Sequence, residues 1–448
     1  MFTTLMLARI QFAFTVAFHI IFPSMSIGLA LFLAIIEFLW LRTKNEIYFK
    51  LYHLWIKFFA IGFGLGVVSG VTLSYQLGTN WSLFSDHISN VIGPLIGFEV
   101  LTAFFLEASF LGVMLWGWNK VSPRMHFIST CIVAFGTALS AFWIISANSW
   151  MQTPSGYFIA SDGRFFAKNW IDVIFNPSFR HRIVHMLLAS YITTSMILGG
   201  VGAYYIWKNR HQQEGKFLLK FATIALSILS PLQILAGDAH GLNVLKHQPV
   251  KVAAMEGLWE TKEGIPLILF AIPDEKNEVN HYEIGIDKLS SLILTRSWNG
   301  KVRGLKSWPK EERPPIHVVF WGFRIMVGIG FTIFFMMIIN FIMMIKNKIG
   351  QSTFINKLWI LMIPSGLIAI IAGWFVTEVG RQPYTVYGLL RTIDSASPQI
   401  TAGQLSWSLS VFLLIYIILF ILGIYYMAKI IHKGIVPDEK INQIRNIF

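Results

Sequence analysis

Cysteine and charge are both scarce in this chain. Cys131 is the only cysteine among 448 residues, which excludes an internal disulfide and a Cys-x-x-Cys-His attachment of haem. Only 13% of the residues are Asp, Glu, Lys or Arg, against 55% hydrophobic residues. This balance lies outside the range of soluble globular domains. The composition therefore excludes a soluble fold and indicates an integral membrane protein.

Long apolar runs account for most of the chain. Crossing about 30 Å of hydrocarbon takes about 20 mostly apolar residues. The sequence contains roughly nine stretches of that kind, at 13–40, 55–78, 93–118, 126–147, 183–207, 218–236, 316–345, 357–378 and 407–431. The first lacks a small-residue cleavage signature and exceeds the length of a signal peptide's apolar region, so we expect it to remain as a helix. We predict an all-α, polytopic fold with about nine transmembrane helices in a single membrane domain, residues 1–448.

The short connections alternate between basic and nearly uncharged. The basic set contains Arg42, Lys44, Lys50, Lys120, Arg124, Lys208, Arg210, Lys216, Lys346, Lys348, Lys357, Lys429 and Lys433. The other short connections contain only Arg381 and Arg391. Because cytoplasmic loops carry the excess of Lys and Arg, we expect the N-terminus outside and the C-terminus in the cytoplasm. The net charge of +13 then fits anionic lipid headgroups, and no nucleic-acid partner is predicted.

One outer connection is unusually long. It runs from about 237 to 316 and holds six prolines and much of the remaining charge. A connection of that length usually has a function or is disordered. The chain shows no internal repeat, which weakens the interpretation as a transporter built from inverted repeats.

Five ionisable residues lie inside the apolar stretches: His19, Glu99, Glu107, His185 and Glu378. An ionisable group in hydrocarbon is costly unless it is paired, wetted or bound to a metal, so each is a candidate functional residue. The predicted topology places His19, His185 and Glu378 in the outer half of the membrane, with Met326 at a similar depth. His and Met together are the ligands of six-coordinate, electron-transferring haem iron. Taken singly, each could instead be a packing or interfacial residue.

Glu99 and Glu107 lie on the same predicted helix. Eight residues separate them by about 12 Å along the helix axis and by about 80° around it. Carboxylates spaced across a membrane suit a proton relay, although a pair of structural hydrogen-bond acceptors would give the same pattern. Glu37 is different, because it lies about one turn from Arg42 at the inner interface, and we interpret it as structural.

The sharpest local pattern spans residues 373–383, Gly-Trp-Phe-Val-Thr-Glu-Val-Gly-Arg-Gln-Pro. Trp374 and Glu378 are four residues apart and therefore share a helix face. Arg381 follows near the membrane surface, where a guanidinium suits an acidic group such as a haem propionate. The alternative is a helix end with an interfacial aromatic residue and a snorkelling arginine.

Four motifs in this order resemble the large subunit of cytochrome bd-type quinol oxidases. They are Arg9 with Phe14 and His19, Lys251-Val-Ala-Ala-Met-Glu256-Gly-Leu-Trp, Gly322-Phe-Arg-Ile-Met-Val-Gly328, and Trp374-x-x-x-Glu378 followed by Gly-Arg-Gln-Pro. The resemblance covers essentially the whole chain. The loop at 237–316 is of the shorter type in this family, and Tyr384 stands where a tryptophan is common.

The resemblance implies a respiratory terminal oxidase of the bacterial cytoplasmic membrane that uses haem. In this family, His185 and Met326 would ligate a low-spin haem b. His19 and Glu378 would ligate a high-spin haem b and a haem d, or a further haem b in its place. Which of these two haems belongs to which ligand stays open.

The resemblance also implies roles for the remaining candidates. Trp374 would lie between the haems, and Arg9, Asn148, Arg324 and Arg381 would lie near haem groups. Glu99 and Glu107 would match the proton route from the cytoplasm, so that turnover generates proton motive force. Lys251 and Glu256 would match the pair that binds quinol in the long loop; without the motif they could be a solvated ion pair.

The implied substrates and partners are ubiquinol or menaquinol, dioxygen, a second large membrane subunit and a small single-helix subunit within the bilayer. Two other classes stay open on the residues alone. One is a dihaem membrane anchor that passes electrons between quinol and a peripheral enzyme. The other is a secondary transporter.

Overall fold

The protein is a bundle of long helices with small hairpins at one end. A computed structural model describes residues 3–435, and nine helical segments in that range are long and apolar enough to cross a membrane, as predicted. The helices are α1 (Thr4–Thr43), α2 (Glu46–Thr79), α3 (Ser82–Glu99), α4 (Phe105–Trp116), α5 (Pro123–Gln152), α6 (Trp170–Ile174), α7 (Phe179–Trp207), α8 (Gln212–His247), α9 (Pro249–Glu256), α10 (Leu289–Thr295), α11 (Ile316–Ile345), α12 (Thr353–Leu361), α13 (Ser365–Val379) and α14 (Ala402–Lys433). Residues 1–2 and 436–448 of the predicted domain lie outside this range.

The strands form four two-stranded antiparallel sheets in the connections. They are β1 (Tyr157–Ile159) with β2 (Phe165–Ala167), β3 (Lys262–Glu263) with β6 (Lys301–Val302), β4 (Leu267–Asp274) with β5 (Val279–Ile286), and β7 (Tyr384–Val386) with β8 (Leu390–Arg391). The spans themselves are entirely helical, because lipid leaves backbone polar groups no partner outside their own segment.

Helices α1 and α7 form the centre of the bundle. In the most apolar window of each, 72% of the residues are buried, against 11% in α14. The two helices approach closely because Gly28 of α1 has no Cβ that would collide with Thr194 of α7. Small residues permit this kind of contact between membrane helices. The exposed face of α14 lies at the edge of the bundle.

The long connection starts later than the sequence predicted. Helix α8 continues to His247, so the segment between membrane helices runs from Gln248 to Pro315 and not from 237. It is folded: Val250 and Ala253 of α9 and Ile268 of β4 pack against Phe320 of α11 and Val376 of α13. We call the end of the bundle that carries residues 248–315 the long-loop end, and the opposite end the lysine-rich end. Docking on α11 and α13 fixes α9 over the mouth of the bundle.

Helices α3 and α4 are joined by one turn of π-helix, Val100–Phe104. The spacing alone predicts a continuous α-helix between Glu99 and Glu107. A π-turn has more residues per turn, so each residue rotates the chain less and the two carboxylates lie closer to one face than the predicted 80°. Single π-turns of this kind occur often at functional sites in membrane and soluble helices.

Candidate functional site

His19 of α1 lies against helix α2. Its Nδ1 is 3.0 Å from Ser69 Oγ, and the hydroxyl of Ser69 in turn bonds the backbone carbonyls of Leu65 and Gly66. A Cβ at Gly70 would lie 3.2 Å from the imidazole Cε1. Hydrogen bonding of one ring nitrogen orients an imidazole and leaves the other for a metal. Ser69 was not identified from the sequence, because its contact crosses between helices.

His185 and Met326 lie on α7 and α11, at the long-loop end. Both helices pack on α8 and on α13, so the four form a ring in which α7 and α11 are diagonal. The imidazole of His185 faces Gly237 of α8, and the thioether sulfur of Met326 faces Gly373 of α13, where a Cβ would lie 2.8 Å from the sulfur. Each side chain is thus accommodated by a glycine on a neighbouring helix.

Two further groups contact His185. Its Nε2 is 3.2 Å from Gln233 Nε2, and its ring centroid is 5.4 Å from that of His240. The Nδ1 atom is buried without a hydrogen-bond partner. An imidazole with a buried nitrogen left unpaired is costly unless a further group satisfies it. This arrangement fits a metal ligand better than a hydrogen-bonded core histidine.

Glu378 lies one residue from the end of α13 and is the centre of a hydrogen-bonded cluster. Its Oε2 accepts from Arg381 Nη2 at 2.5 Å, and its Oε1 lies 3.4 Å from Gln152 Nε2. Lys251 of α9 donates to Gln152 Oε1 at 2.8 Å and to the carbonyl oxygen of Thr377 at 3.1 Å. Gln152, which the sequence analysis did not identify, therefore joins Glu378 to α9.

Arg381 has hydrogen-bond donors that no protein group within residues 3–435 uses. The residue is 6% exposed, and Nε and Nη1 are buried without a partner. A buried guanidinium with two unused donors fits a second acidic group, such as a carboxylate of a bound cofactor. This observation agrees with the role that the family resemblance implied for Arg381.

Trp374 and Asn148 both contact the side chain of Arg182. The guanidinium of Arg182 lies 5.6 Å from the centroid of the Trp374 ring and donates to Asn148 Oδ1 at 2.5 Å and to Ser149 Oγ at 3.1 Å. Arg182 is 6% exposed. Arg182 was not identified from the sequence, and the structure makes it a member of the site. Arg9 is half-buried near the start of α1.

Lys251 and Glu256 do not form the solvated ion pair that was the alternative interpretation. Lys251 is 3% exposed and Glu256 is 5% exposed, on different faces of α9. Burial lowers the pKa of the Lys251 ammonium well below its usual range; Glu378 opposes this shift, and Arg182 and Arg381 add to it. Lys251 is therefore a buried amine within the Glu378 cluster.

Glu256 lies on the other side of the same helix. Its Oε2 accepts from Ser290 Oγ at 2.6 Å. Burial raises the pKa of the Glu256 carboxyl, while Arg324 and Ser290 oppose the shift. A raised pKa brings a carboxyl group toward the pH at which it both takes up and releases protons.

Arg324 bridges α11 and the long connection. Its Nε and Nη2 donate to the carbonyl oxygen of Ile268 at 3.0 and 2.7 Å, its Nη1 donates to the carbonyl oxygen of Met255, and its guanidinium lies 3.7 Å from the Phe320 ring centroid. Its donors therefore point to α9 and β4. The haem-binding role of Arg324 stays a prediction.

Glu99 and Glu107 both face α5. Ser140 of α5 donates to Glu99 Oε1 at 2.7 Å, and one turn away a Cβ at Gly136 would lie 2.7 Å from Glu107 Cγ. Glu107 is 6% exposed and its Oε1 has no hydrogen-bond partner. Both carboxylates thus lie along one helix face, as a relay requires.

No group of three or more His, Cys, Asp or Glu side chains that could hold a bare metal ion occurs within residues 3–435. His19, His185, Met326 and Glu378 instead lie on separate helices. Haem iron takes four ligands from its porphyrin and needs only one or two from the protein. The candidate ligands therefore fit haem, together with the unused donors of Arg381 and the glycines facing His19, His185 and Met326.

Comparison with known proteins places this chain in one family. Residues 7–435 match the family described as cytochrome bd terminal oxidase subunit I. The chain is 36% identical to cytochrome bd ubiquinol oxidase subunit 1 of Bacillus subtilis, over 97% of this chain and 95% of that one. It is 32% identical to cytochrome bd-II ubiquinol oxidase subunit 1 of Escherichia coli, over 96% of each.

A solved structure agrees with the sequence relatives. The bd oxidase from Geobacillus thermodenitrificans superposes with a TM-score of 0.88 at 30% identity, over 96% of this chain and 99% of that chain. Fold and sequence thus correspond over nearly the whole chain. The chain belongs to the cytochrome bd terminal oxidase subunit I family, a family of multi-pass bacterial membrane proteins that use haem.

Proposed function

We propose that this chain is the subunit of a respiratory terminal oxidase that oxidises quinol at the outer membrane face and carries the haems at which dioxygen is reduced to water. One observation carries the proposal: Lys251 of α9 bonds Gln152, which bonds the candidate iron ligand Glu378. Helix α9, which is expected to bind quinol, is therefore joined through Gln152 to helix α13, which is expected to hold an iron. Neither an electron-passing anchor nor a transporter requires this link.

The residues divide into two ligand sets. His185 and Met326 would hold a low-spin haem b between α7 and α11, and His19 and Glu378 would each hold one of two further haems, a high-spin haem b and a haem d or further haem b. When bound, these groups supply one-electron transfer and an open iron position for dioxygen. Arg381, Asn148 and Arg9 would position the haem carboxylates, and Arg324 would lie close to the low-spin haem. Trp374 fixes Arg182 by its ring face.

Quinol oxidation needs a proton acceptor and a partner for the second oxygen. Glu256, whose pKa burial raises, takes the hydroxyl proton. Lys251, held by Gln152 and by the Thr377 carbonyl, is placed to hold the other ring oxygen. Protons released here leave at the long-loop end, which we assign to the outside of the bacterial cytoplasmic membrane.

Oxygen reduction consumes protons from the cytoplasm. Glu107 and Glu99, which contact Gly136 and Ser140 one turn apart on α5, hold and pass these protons from the lysine-rich end, which we assign to the inside. Release outside and uptake inside store energy as proton motive force without a pump. The N-terminus is then outside and the C-terminus inside, in agreement with the loop charges.

The exposed apolar helices leave room for partners. Helix α14 is largely exposed, and Trp407, Leu414 and Ile421 are among its uncovered side chains. The proposed complex includes a second large membrane subunit and a small single-helix subunit within the bilayer. The quinol is ubiquinol or menaquinol.

The test is to purify the complex, extract its pigments, and measure oxygen uptake with a quinol. We expect three haems by reduced-minus-oxidised spectroscopy, together with quinol-dependent oxygen consumption. Full haem content without oxygen uptake would favour the dihaem anchor. Absence of haem absorbance would favour the transporter.

A substitution at Lys251 tests the quinol site. Because Lys251→Met keeps the stem of the side chain and removes its nitrogen, we expect the KM for quinol to rise about tenfold, the effect of one lost buried hydrogen bond. The haem spectrum should change little. Lys262→Met, on exposed β3 of the same connection, is the matched control. An unchanged KM in Lys251→Met would exclude Lys251 from quinol binding.

A further inference from the structure

Glu37 of α1 is a fully buried carboxylate near the lysine-rich end, and the proposed reaction does not use it. Its side chain is 1% exposed. Its Oε1 lies 2.6 Å from His126 Nδ1, and its Oε2 accepts from Thr130 Oγ1 at 2.6 Å. Both partners belong to α5, and Arg42, one turn away on α1, is exposed. Glu37 therefore bonds α5 and is not an exposed interfacial residue.

The pair is enclosed by aromatic rings. His126 is 2% exposed, with Trp118 at 4.5 Å and Tyr52 at 5.7 Å between ring centroids. Tyr52 OH lies 3.2 Å from Thr130 Oγ1, and His126 Nε2 is buried without a partner. The other titratable groups near Glu37 and His126 are Tyr52 and His53 on α2 and Cys131 on α5.

The hydrogen bonds of Glu37 to α5 can form in either protonation state of its carboxyl group. Buried carboxylates are rare in membrane helices, and they usually mark ion or proton pathways. An imidazole and a hydroxyl stabilise Glu37 both as a carboxylate and as a carboxylic acid, because each partner can donate or accept. The site can therefore gain and lose one proton without losing its hydrogen bonds.

Helix α5 connects this pair to the proposed proton route. His126, Thr130, Thr137 and Ser140 lie within roughly 80° of one another around α5. Ser140 bonds Glu99, and Glu107 packs on Gly136 of the same helix. Measured from the lysine-rich helix ends, Glu37 is about 9 Å deep and Glu107 about 14 Å deep. A proton that enters the bundle from the lysine-rich end therefore meets Glu37 before Glu107.

An apolar side chain interrupts this path. Val133 is fully buried and lies on the same face of α5, between Thr130 and Thr137. Thr130 and Gly136 are about 9 Å apart along the helix. Water molecules must therefore extend past Val133 before a proton can move from Glu37 to Glu107. Until they do, the proton stays on Glu37.

We propose that Glu37 is the proton-loading site that supplies Glu107, with His126 as its positioning residue; this rests on the proposed proton route through Glu107 and Glu99. A proton from water at the lysine-rich end binds the Glu37 carboxylate. The Thr130 hydroxyl then donates its own proton to a water molecule on the Glu107 side. In exchange, it takes up the proton of Glu37. Only O–H bonds form and break, and the charge of one proton is conserved.

The experiment compares Glu37→Gln, Glu107→Gln and Glu214→Gln in the whole complex, reconstituted in proteoliposomes. Glutamine keeps the shape of Glu37, with its amide oxygen accepting from one partner and its NH2 group donating to the other, but it cannot be loaded with a proton. Glu214, at the start of α8, is the control carboxylate at the same end of the bundle. Proton uptake is followed with a pH dye during oxygen pulses, and haem content is followed by its spectrum.

We expect Glu37→Gln to slow proton uptake and oxygen consumption at least fivefold with an unchanged haem spectrum, and Glu37→Asp to restore part of the rate. Thr130→Val removes the relay hydroxyl without removing a charge, and we expect it to slow uptake as well. His126→Asn, which can still donate to Glu37, should retain more activity than His126→Leu. Glu214→Gln should have the wild-type rate.

The outcomes separate the two proposals. If Glu107→Gln is slow while Glu37→Gln and Thr130→Val run at the wild-type rate, the loading site is overturned and the route through Glu107 stands. If Glu107→Gln also runs at the wild-type rate, the route itself fails. If Glu37→Gln does not assemble, the rate of Thr130→Val decides: a wild-type rate overturns the loading site and a slow one supports it.

Discussion

Replacing Met326 by leucine is expected to convert the low-spin haem spectrum to a high-spin one and to lower quinol-dependent oxygen consumption at least about tenfold. Leucine and methionine have similar volumes, so the exchange disturbs packing little. The thioether sulfur, however, is the only part of this side chain that can bind iron. It faces Gly373 within the ring of α7, α8, α11 and α13, where no other residue could replace it from the same helix face.

The matched control is Met337→Leu. Met337 lies three turns further along α11, is 5% exposed, and packs in the apolar core with Ile333 and Trp359. The same exchange there should leave both the spectrum and the rate close to wild type. If the spectrum of Met326→Leu matches that of Met337→Leu, Met326 is a packing residue and not a ligand.

Much of the site was accessible from the sequence because it depends on helix position. Loop charges set the topology, and a helix rises about 1.5 Å per residue, so His185, Met326 and Glu378 could be assigned to one end of the bundle. Local spacing also placed Trp374 on the face of Glu378. The structure puts His185, Met326 and Glu378 at that end, the long-loop end.

What the sequence could not show depends on contacts between distant elements. Lys251 reaches the Glu378 cluster only because α9 docks on α11 and α13 through apolar packing. Gln152 and Ser69 are ordinary polar residues in sequence, and they matter because of what faces them. Glu37 meets its partner 89 positions away. The π-turn between Glu99 and Glu107 has no clear composition signal, since it replaces a normal α-turn.

Replacing Glu107 by glutamine is expected to lower oxygen consumption by roughly a hundredfold to ten-thousandfold, the usual contribution of a positioned proton-transfer group. Glu107 is buried, and one carboxylate oxygen has no hydrogen-bond partner. A structural hydrogen bond to that oxygen therefore does not explain why Glu107 is buried. Proton transfer does, because it requires a carboxylate oxygen that is free to bind water. Because no candidate iron ligand contacts Glu107, haem content should stay close to wild type.

A second substitution separates the position of Glu107 from its chemistry. A methyl group at Gly136 would lie 2.7 Å from Glu107 Cγ, too close for an undisturbed contact. Gly136→Ala should therefore move the carboxyl group while keeping its titratable proton, and we expect a smaller loss of rate than in Glu107→Gln. Gly97→Ala, where a Cβ meets open space, is the control. Loss of every haem in Glu107→Gln would instead make Glu107 a structural residue, and full activity in both variants would remove it from the proton route.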